Sequence, residues 1–138
     1  MEYHILVAED EPELRSLLRY WFDEKVPKAL PGKYIVYEAG DGNEAMAKVA
    51  ECLASEHSLD LAIVDLRMPG KNGFETIDDL LKTFPTTHVL LLSATISFFL
   101  DRLGEYGSRV TPLDKPISSR AFVDAVTNIL GSGGNRYA

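Results

Sequence analysis

Short, nearly unbroken apolar runs alternate with amphipathic segments along the chain. The runs span residues 3–8, 34–39, 61–64, 89–92 and 110–113. Each is rich in β-branched or aromatic residues and too short for a helix, so each predicts a strand. Stretches such as Ile5-Leu6-Val7-Ala8 and Leu61-Ala62-Ile63-Val64 carry no polar residue, which predicts strands covered on both faces. Between them, Leu14, Leu17, Leu18, Trp21 and Phe22 recur at helical spacing, with Pro12 suited to the first turn. Met46, Val49, Ala50 and Leu53 form a second stripe, with Asp41 and Glu44 spaced as a capping box. Asn72 and Glu75 repeat that spacing ahead of Phe74, Ile77 and Leu81. Ile96, Phe99, Leu100 and Leu103 form a weaker fourth pattern, and Phe122, Val126, Ile129 and Leu130 a fifth, capped by Ser118 or Ser119.

Strict β-α alternation predicts an α/β domain: a five-stranded parallel sheet with right-handed crossovers and five helices over both faces. Pro112 falls inside the fifth strand and therefore places that strand at a sheet edge. Residues 25–33, with two prolines and a glycine, read as a loop. The domain is expected over residues 1–130, and the glycine-rich residues 131–138 as a flexible C-terminal tail.

Composition narrows the function. The 138 residues carry a net charge of −7, which disfavours nonspecific nucleic-acid binding and docking on anionic membranes. One cysteine, Cys52, excludes an internal disulfide and a cysteine zinc site, and it reads as a small buried apolar residue. The N-terminus has no secretory pattern and no apolar run reaches membrane length, so a cytoplasmic location is expected. His4, His57 and His88 have no metal-ligand spacing and read as ordinary strand or loop residues.

In a parallel α/β sheet, ligands gather beyond the carboxyl ends of the strands. Strand one ends in Glu9-Asp10-Glu11, strand three in Asp65, strand four in Ser93 and strand five in Asp114-Lys115-Pro116. These groups converge if the strand order is 2-1-3-4-5, the flavodoxin-like arrangement with its switch point between strands one and three. Glu9, Asp10 and Asp65 would then crowd together and demand a proton or a cation. All-oxygen donors suit Mg²⁺. Such a site suits phosphoryl chemistry, with Asp65 as the best candidate nucleophile, Ser93 able to bond a phosphoryl oxygen and Lys115 able to neutralise it. Taken singly, each residue has a plainer reading: an acidic helix start, a turn aspartate, a serine cap, a surface lysine.

Four motifs in order, LVAEDE, IVDLRMPGKNGFE, LLLSAT and LDKPIS, resemble the receiver domain of two-component response regulators over about residues 3–130. The resemblance implies that Asp65 accepts a phosphoryl group from a histidine kinase or phosphotransfer protein. It implies that Asp10, Asp65 and the Arg67 backbone carbonyl bind Mg²⁺, with Glu9 acting through water. It further implies that Ser93 and Lys115 follow the phosphoryl group and that the Lys115-Pro116 bond is cis. The expected function is a phosphorylation-controlled switch that alters binding to a downstream protein. It is not a turnover enzyme, and phosphorylation-dependent homodimerisation through the fourth and fifth helical segments would be usual for the family. Two departures stand out. Pro112 occupies the position, three before the lysine, where the family places an aromatic switch residue, and Gly107-Ser108-Arg109 replaces the usual Gly-Ala signal before strand five. The competing readings are a receiver-like adaptor that needs no phosphorylation and, less favoured, an aspartate-nucleophile phosphatase. The phosphatase would want an acid two residues after Asp65, where Arg67 stands.

Overall fold

The computed structural model describes residues 1–131. Five strands, β1 (Glu2–Ala8), β2 (Lys33–Ala39), β3 (Leu61–Asp65), β4 (His88–Ser93) and β5 (Val110–Asp114), pair in parallel in the order β2-β1-β3-β4-β5. This is the predicted flavodoxin-like order. β5 is an edge strand, and Pro112 lies opposite Leu91 of β4.

The strands alternate their side chains between two cores. Ile5, Val7, Ile63, Leu90 and Leu92 face α1 (Pro12–Glu24) and the last helix, where Leu18, Phe22, Phe122 and Val126 are fully buried. Leu6, Ala8, Val64 and Leu91 face the opposite layer, with Val49, Cys52, Ile77 and Leu80. Both faces of the central strands are therefore covered, which explains their lack of polar positions.

The segment 25–33 is not all loop. It carries a one-turn helix, α2 (Val26–Ala29), whose Pro27 sits where no amide donor is needed. Val26 is wholly buried and its carbonyl accepts from Leu30 N at 2.8 Å, so packing holds a turn that local composition disfavours.

In α3 (Gly42–Ala54) the buried face is Gly42, Ala45, Val49 and Cys52, one residue round from the predicted stripe, and Leu53 is exposed. Small residues stand on this face because the helix packs closely there: a Cβ on Gly42 would lie 2.5 Å from Lys71 O. Asp41 accepts from Glu44 N, but the Glu44 carboxylate turns to Gly40 N, so the expected capping box is only half formed. Asn72 and Glu75 form a complete capping box on α4 (Gly73–Thr83). The fourth pattern becomes a 3₁₀ turn, Ile96–Phe99, followed by a short helix, α5 (Leu100–Gly104). Ile96 and Leu103 are buried, whereas Phe98 and Leu100 project outward. The last helix, α6 (Ser119–Gly131), starts behind Ser118, whose hydroxyl accepts from Ala121 N. Gly131 closes α6, and the rest of the predicted tail lies outside the described residues. Among the described residues no helix is long and apolar enough to cross a membrane.

Candidate functional site at the carboxyl edge of the sheet

The strand order delivers the ends of β1, β3, β4 and β5 to one edge. There a cavity of about 400 Å³ is lined by Asp10, Glu11, Asp65, Arg67, Ser93, Thr95 and Lys115. Glu9 is completely buried beneath it, and Asp65 and Ser93 are nearly so. Glu9, Asp10 and Asp65 each bring a carboxylate oxygen to within 4.8 Å of the others. The residues singled out in the sequence thus meet, although up to about a hundred positions separate them.

Backbone bonds fix this convergence. Glu9 N donates to Ala39 O at 3.0 Å, Leu66 N to Leu92 O at 2.9 Å, and Lys115 N to Ser93 O at 3.0 Å. Arg15 holds the Glu9 carbonyl at 2.7 Å. Gly73 lets the start of α4 press against β3: a Cβ there would lie 2.6 Å from Leu66 Cα and 2.7 Å from Asp65 O. Gly73 N donates to Leu66 O, which seals the turn after Asp65. Gly70 has a φ of 71°, which its missing side chain permits without strain.

Lys115 Nζ lies 3.2 Å from Asp65 Oδ1 and 3.3 Å from Glu9 Oε1. The Lys115-Pro116 bond is cis. Arg67 N donates to Asp65 Oδ1 at 3.4 Å. Ser93 Oγ accepts from Thr95 N at 2.9 Å and lies 3.0 Å from Thr95 Oγ1, a local bond just ahead of the turn at Ile96–Phe99, which carries no side-chain cap.

One lysine does not balance this much buried negative charge. Burial, reinforced by Asp65, pushes the Glu9 carboxyl up to about 8. Burial also raises Asp65, although Glu9 and Lys115 pull the other way. Burial opposes the charge on Lys115, but Asp65 and then Glu9 overcome it and hold the ammonium above its ordinary value. Glu9 Oε1 accepts no hydrogen bond among the described residues. A buried carboxylate oxygen that meets only the Lys115 ammonium, beside two more carboxylates, belongs to a donor set that fits a hard divalent cation.

A second cavity, about 580 Å³, adjoins the first and is lined by Asp10, Leu66, Arg67, Met68, Asn72, Phe74 and Phe99. Behind it stands a cluster that sequence spacing did not reveal. The Arg102 guanidinium lies 5.1 Å from the Phe74 ring centre and 4.9 Å from that of Tyr106. It also bonds Asp78 and Glu105, each at 2.7 Å, and the Tyr106 hydroxyl donates to Asp78 at 2.7 Å. Tyr106 is therefore committed to α4. Pro112, where the resemblance leads one to expect an aromatic, is exposed.

Comparison with known proteins agrees with this geometry. The model of the response regulator receiver domain family matches residues 5–127. Transcriptional regulatory protein CpxR of Klebsiella pneumoniae is 35% identical over 127 residues, which are 91% of this chain and 48% of CpxR. Transcriptional regulatory protein ResD of Bacillus subtilis is 31% identical over 137 residues, 94% of this chain and 48% of ResD. The chain spans half or less of the length of these relatives. The chemotaxis protein CheY4 of Vibrio cholerae shares the fold, with a TM-score of 0.73, 23% identity, and coverage of 94% of this chain and 99% of CheY4. With its profile, sheet order and carboxylate-lined edge in agreement, the chain belongs to the receiver-domain family of two-component response regulators.

Proposed function

We propose that this chain is a phosphorylation-controlled switch whose phosphoacceptor is Asp65. The observation that carries the reading is the pairing of a buried carboxylate with a lysine, 3.2 Å apart, on the wall of a cavity open to a donor. An Asp65 oxygen attacks the phosphorus of a phosphohistidine on a histidine kinase or phosphotransfer protein. The new O–P bond forms as the P–N bond breaks, and the leaving imidazole keeps that electron pair and takes up a proton. Lys115 answers the charge that develops on the phosphoryl oxygens. Ser93 exchanges its bond to Thr95 for one to a phosphoryl oxygen, which couples the site to the turn at Ile96–Phe99.

Asp10, Asp65, the Arg67 carbonyl and, through water, Glu9 would hold Mg²⁺. The bound ion would neutralise the carboxylates and screen the incoming phosphoryl group. Glu9 would give up its proton as the ion binds, Asp10 would supply a further carboxylate, and Gly73 keeps Asp65 at the cavity wall. The segment Ile96–Gly104, with Phe98 and Leu100 outermost, is the surface whose binding to a downstream protein, or to a second copy, the phosphoryl group alters. The site acts once per phosphorylation and not as a turnover catalyst, in a cytoplasmic setting.

Acetyl phosphate with Mg²⁺, followed by intact-mass measurement, tests the reading. A single phosphoryl group is expected, absent in Asp65→Asn and absent in EDTA. No mass gain, or a gain that persists in Asp65→Asn, overturns it. The exposed Pro112 favours the adaptor reading to this extent only: if no phosphorylation occurs, binding of partners by the unmodified chain becomes the better account.

A further inference from the structure

At the opposite end of β1, about 16 Å along the strand from Glu9, a second group of ligand-type side chains comes together. Glu2 Oε1 lies 2.9 Å from His4 Nε2. The rings of His4 and His57 stack, with centroids 4.2 Å apart and planes at 21°. Each of the three residues brings a ligand atom to within 4.8 Å of the others. His4 and His57 are 53 positions apart, so no spacing rule could join them.

The surroundings are ordered for such a role. Tyr37 Oη lies 3.0 Å from His4 Nδ1. When Nδ1–H donates to that hydroxyl, the Nε2 lone pair is left facing Glu2, the arrangement a metal-ligating histidine takes from its outer partner. The His4 backbone is pinned on both sides of its peptide: its N donates to Asp60 Oδ2 at 2.8 Å and its O accepts from Asp60 N at 2.9 Å. His57 is aimed by the end of α3. Glu56 N donates to Leu53 O and His57 N to Cys52 O, while Glu56 holds a φ of 60°. This left-handed turn, made by a residue that is not glycine, brings the chain back across β1. His4 is buried, whereas Glu2 and His57 are exposed, and Glu2 Oε2 also lies 3.9 Å from Lys33 Nζ.

We propose that Glu2, His4 and His57 form a transition-metal site, with Zn²⁺ as the ion that two imidazoles, one carboxylate and a water suit best. Binding takes the place of the His4 Nε2–Glu2 contact and turns the exposed His57 ring out of its stack on His4, so that its in-plane lone pair meets the ion. The ion ties the start of β1 to the connection that enters β3, far from the carboxylate edge. The inference does not depend on phosphorylation of Asp65.

Calorimetric titration of the full chain with Zn²⁺, in excess Mg²⁺, tests it on four proteins: the unaltered chain, His57→Ala, Glu2→Gln and Asp65→Asn. A single Zn²⁺ site is expected, weakened at least about tenfold by His57→Ala and by Glu2→Gln and unchanged in Asp65→Asn. A Zn²⁺-dependent rise in thermal midpoint should be lost in the same two variants. Both altered residues are exposed, so the variants fold. No Zn²⁺ binding, binding that ignores either substitution, or binding lost in Asp65→Asn overturns the assignment.

Discussion

Lys115 Nζ stands almost midway between two carboxylates, 3.2 Å from Asp65 Oδ1 and 3.3 Å from Glu9 Oε1. The lysine thus bridges the two carboxyl groups before any phosphoryl group arrives. Lys115→Met leaves both carboxylates without their cation. The expected result is a loss of about 1–3 kcal/mol in urea denaturation at neutral pH, limited because the raised Glu9 carboxyl already holds a proton there, together with slower phosphorylation by acetyl phosphate. Unchanged stability and unchanged phosphorylation would show the pair to be idle.

The buried Glu9 makes stability depend on pH. Its folded carboxyl titrates near 8, against an ordinary value of 4.5. The folded state therefore binds more protons than the unfolded state between those values, and stability falls as pH rises through that window. Asp65, also raised, pushes the same way. In EDTA, denaturation between about pH 5 and pH 8 should show a decline of up to about 1.4 kcal/mol per pH unit. Glu9→Gln should flatten it. A chain equally stable across the window contradicts the assignment of a proton to this cluster.

Mg²⁺ should reverse that trend, because it takes the place of the proton. The expected rise in thermal midpoint on adding Mg²⁺ grows with pH and is largely lost in Asp10→Asn. Asp10→Asn should also weaken Mg²⁺ at least about tenfold by calorimetry, since one charged ligand is gone. Equal Mg²⁺ binding by the variant would place the ion elsewhere.

Gly73→Ala probes the floor of the site. The new methyl carbon would fall 2.6 Å from Leu66 Cα and 2.7 Å from Asp65 O, both backbone atoms that cannot swing aside. The start of α4 must back away, at a cost of about 1–3 kcal/mol. Asp65 moves with it, so phosphorylation should slow as well. Wild-type stability and rate would mean the turn has slack that the contacts do not show.

Arg102→Ala removes two ring contacts and two carboxylate bonds at once. The guanidinium is partly exposed, so the loss should stay near 1–2 kcal/mol. Amide exchange should quicken through Ile96–Gly104 and remain slow in β1 and β3. Uniform exchange rates across the variant and the unaltered chain would show that this segment is held by Ile96 and Leu103 alone.

The sequence exposed the architecture where the physics is local or repeated. Short unbroken apolar runs, helix caps such as Asn72 with Glu75, and a proline demanding an edge strand are readable without coordinates. The candidate site was legible for a related reason: each polar residue stands at the end of a strand or just past it, so strand order alone brings them together. What was missed depends on contacts that no spacing encodes. The buried stripe of α3 runs through Ala45, Val49 and Cys52 because close packing selects small residues, whereas a hydrophobicity count favours Met46 and Leu53. The turn at α2 exists because Val26 has somewhere to be buried. Arg102 between two rings, and His4 against His57, are long-range meetings.

Pro112 also bears on solubility. A sheet that ends in a bare strand invites another polypeptide to zip onto its free amides, and five residues interrupted by an imino acid offer no continuous ladder for that. Whatever docks on this flank must recognise side chains, and accidental polymerisation through that rim is discouraged by this one residue.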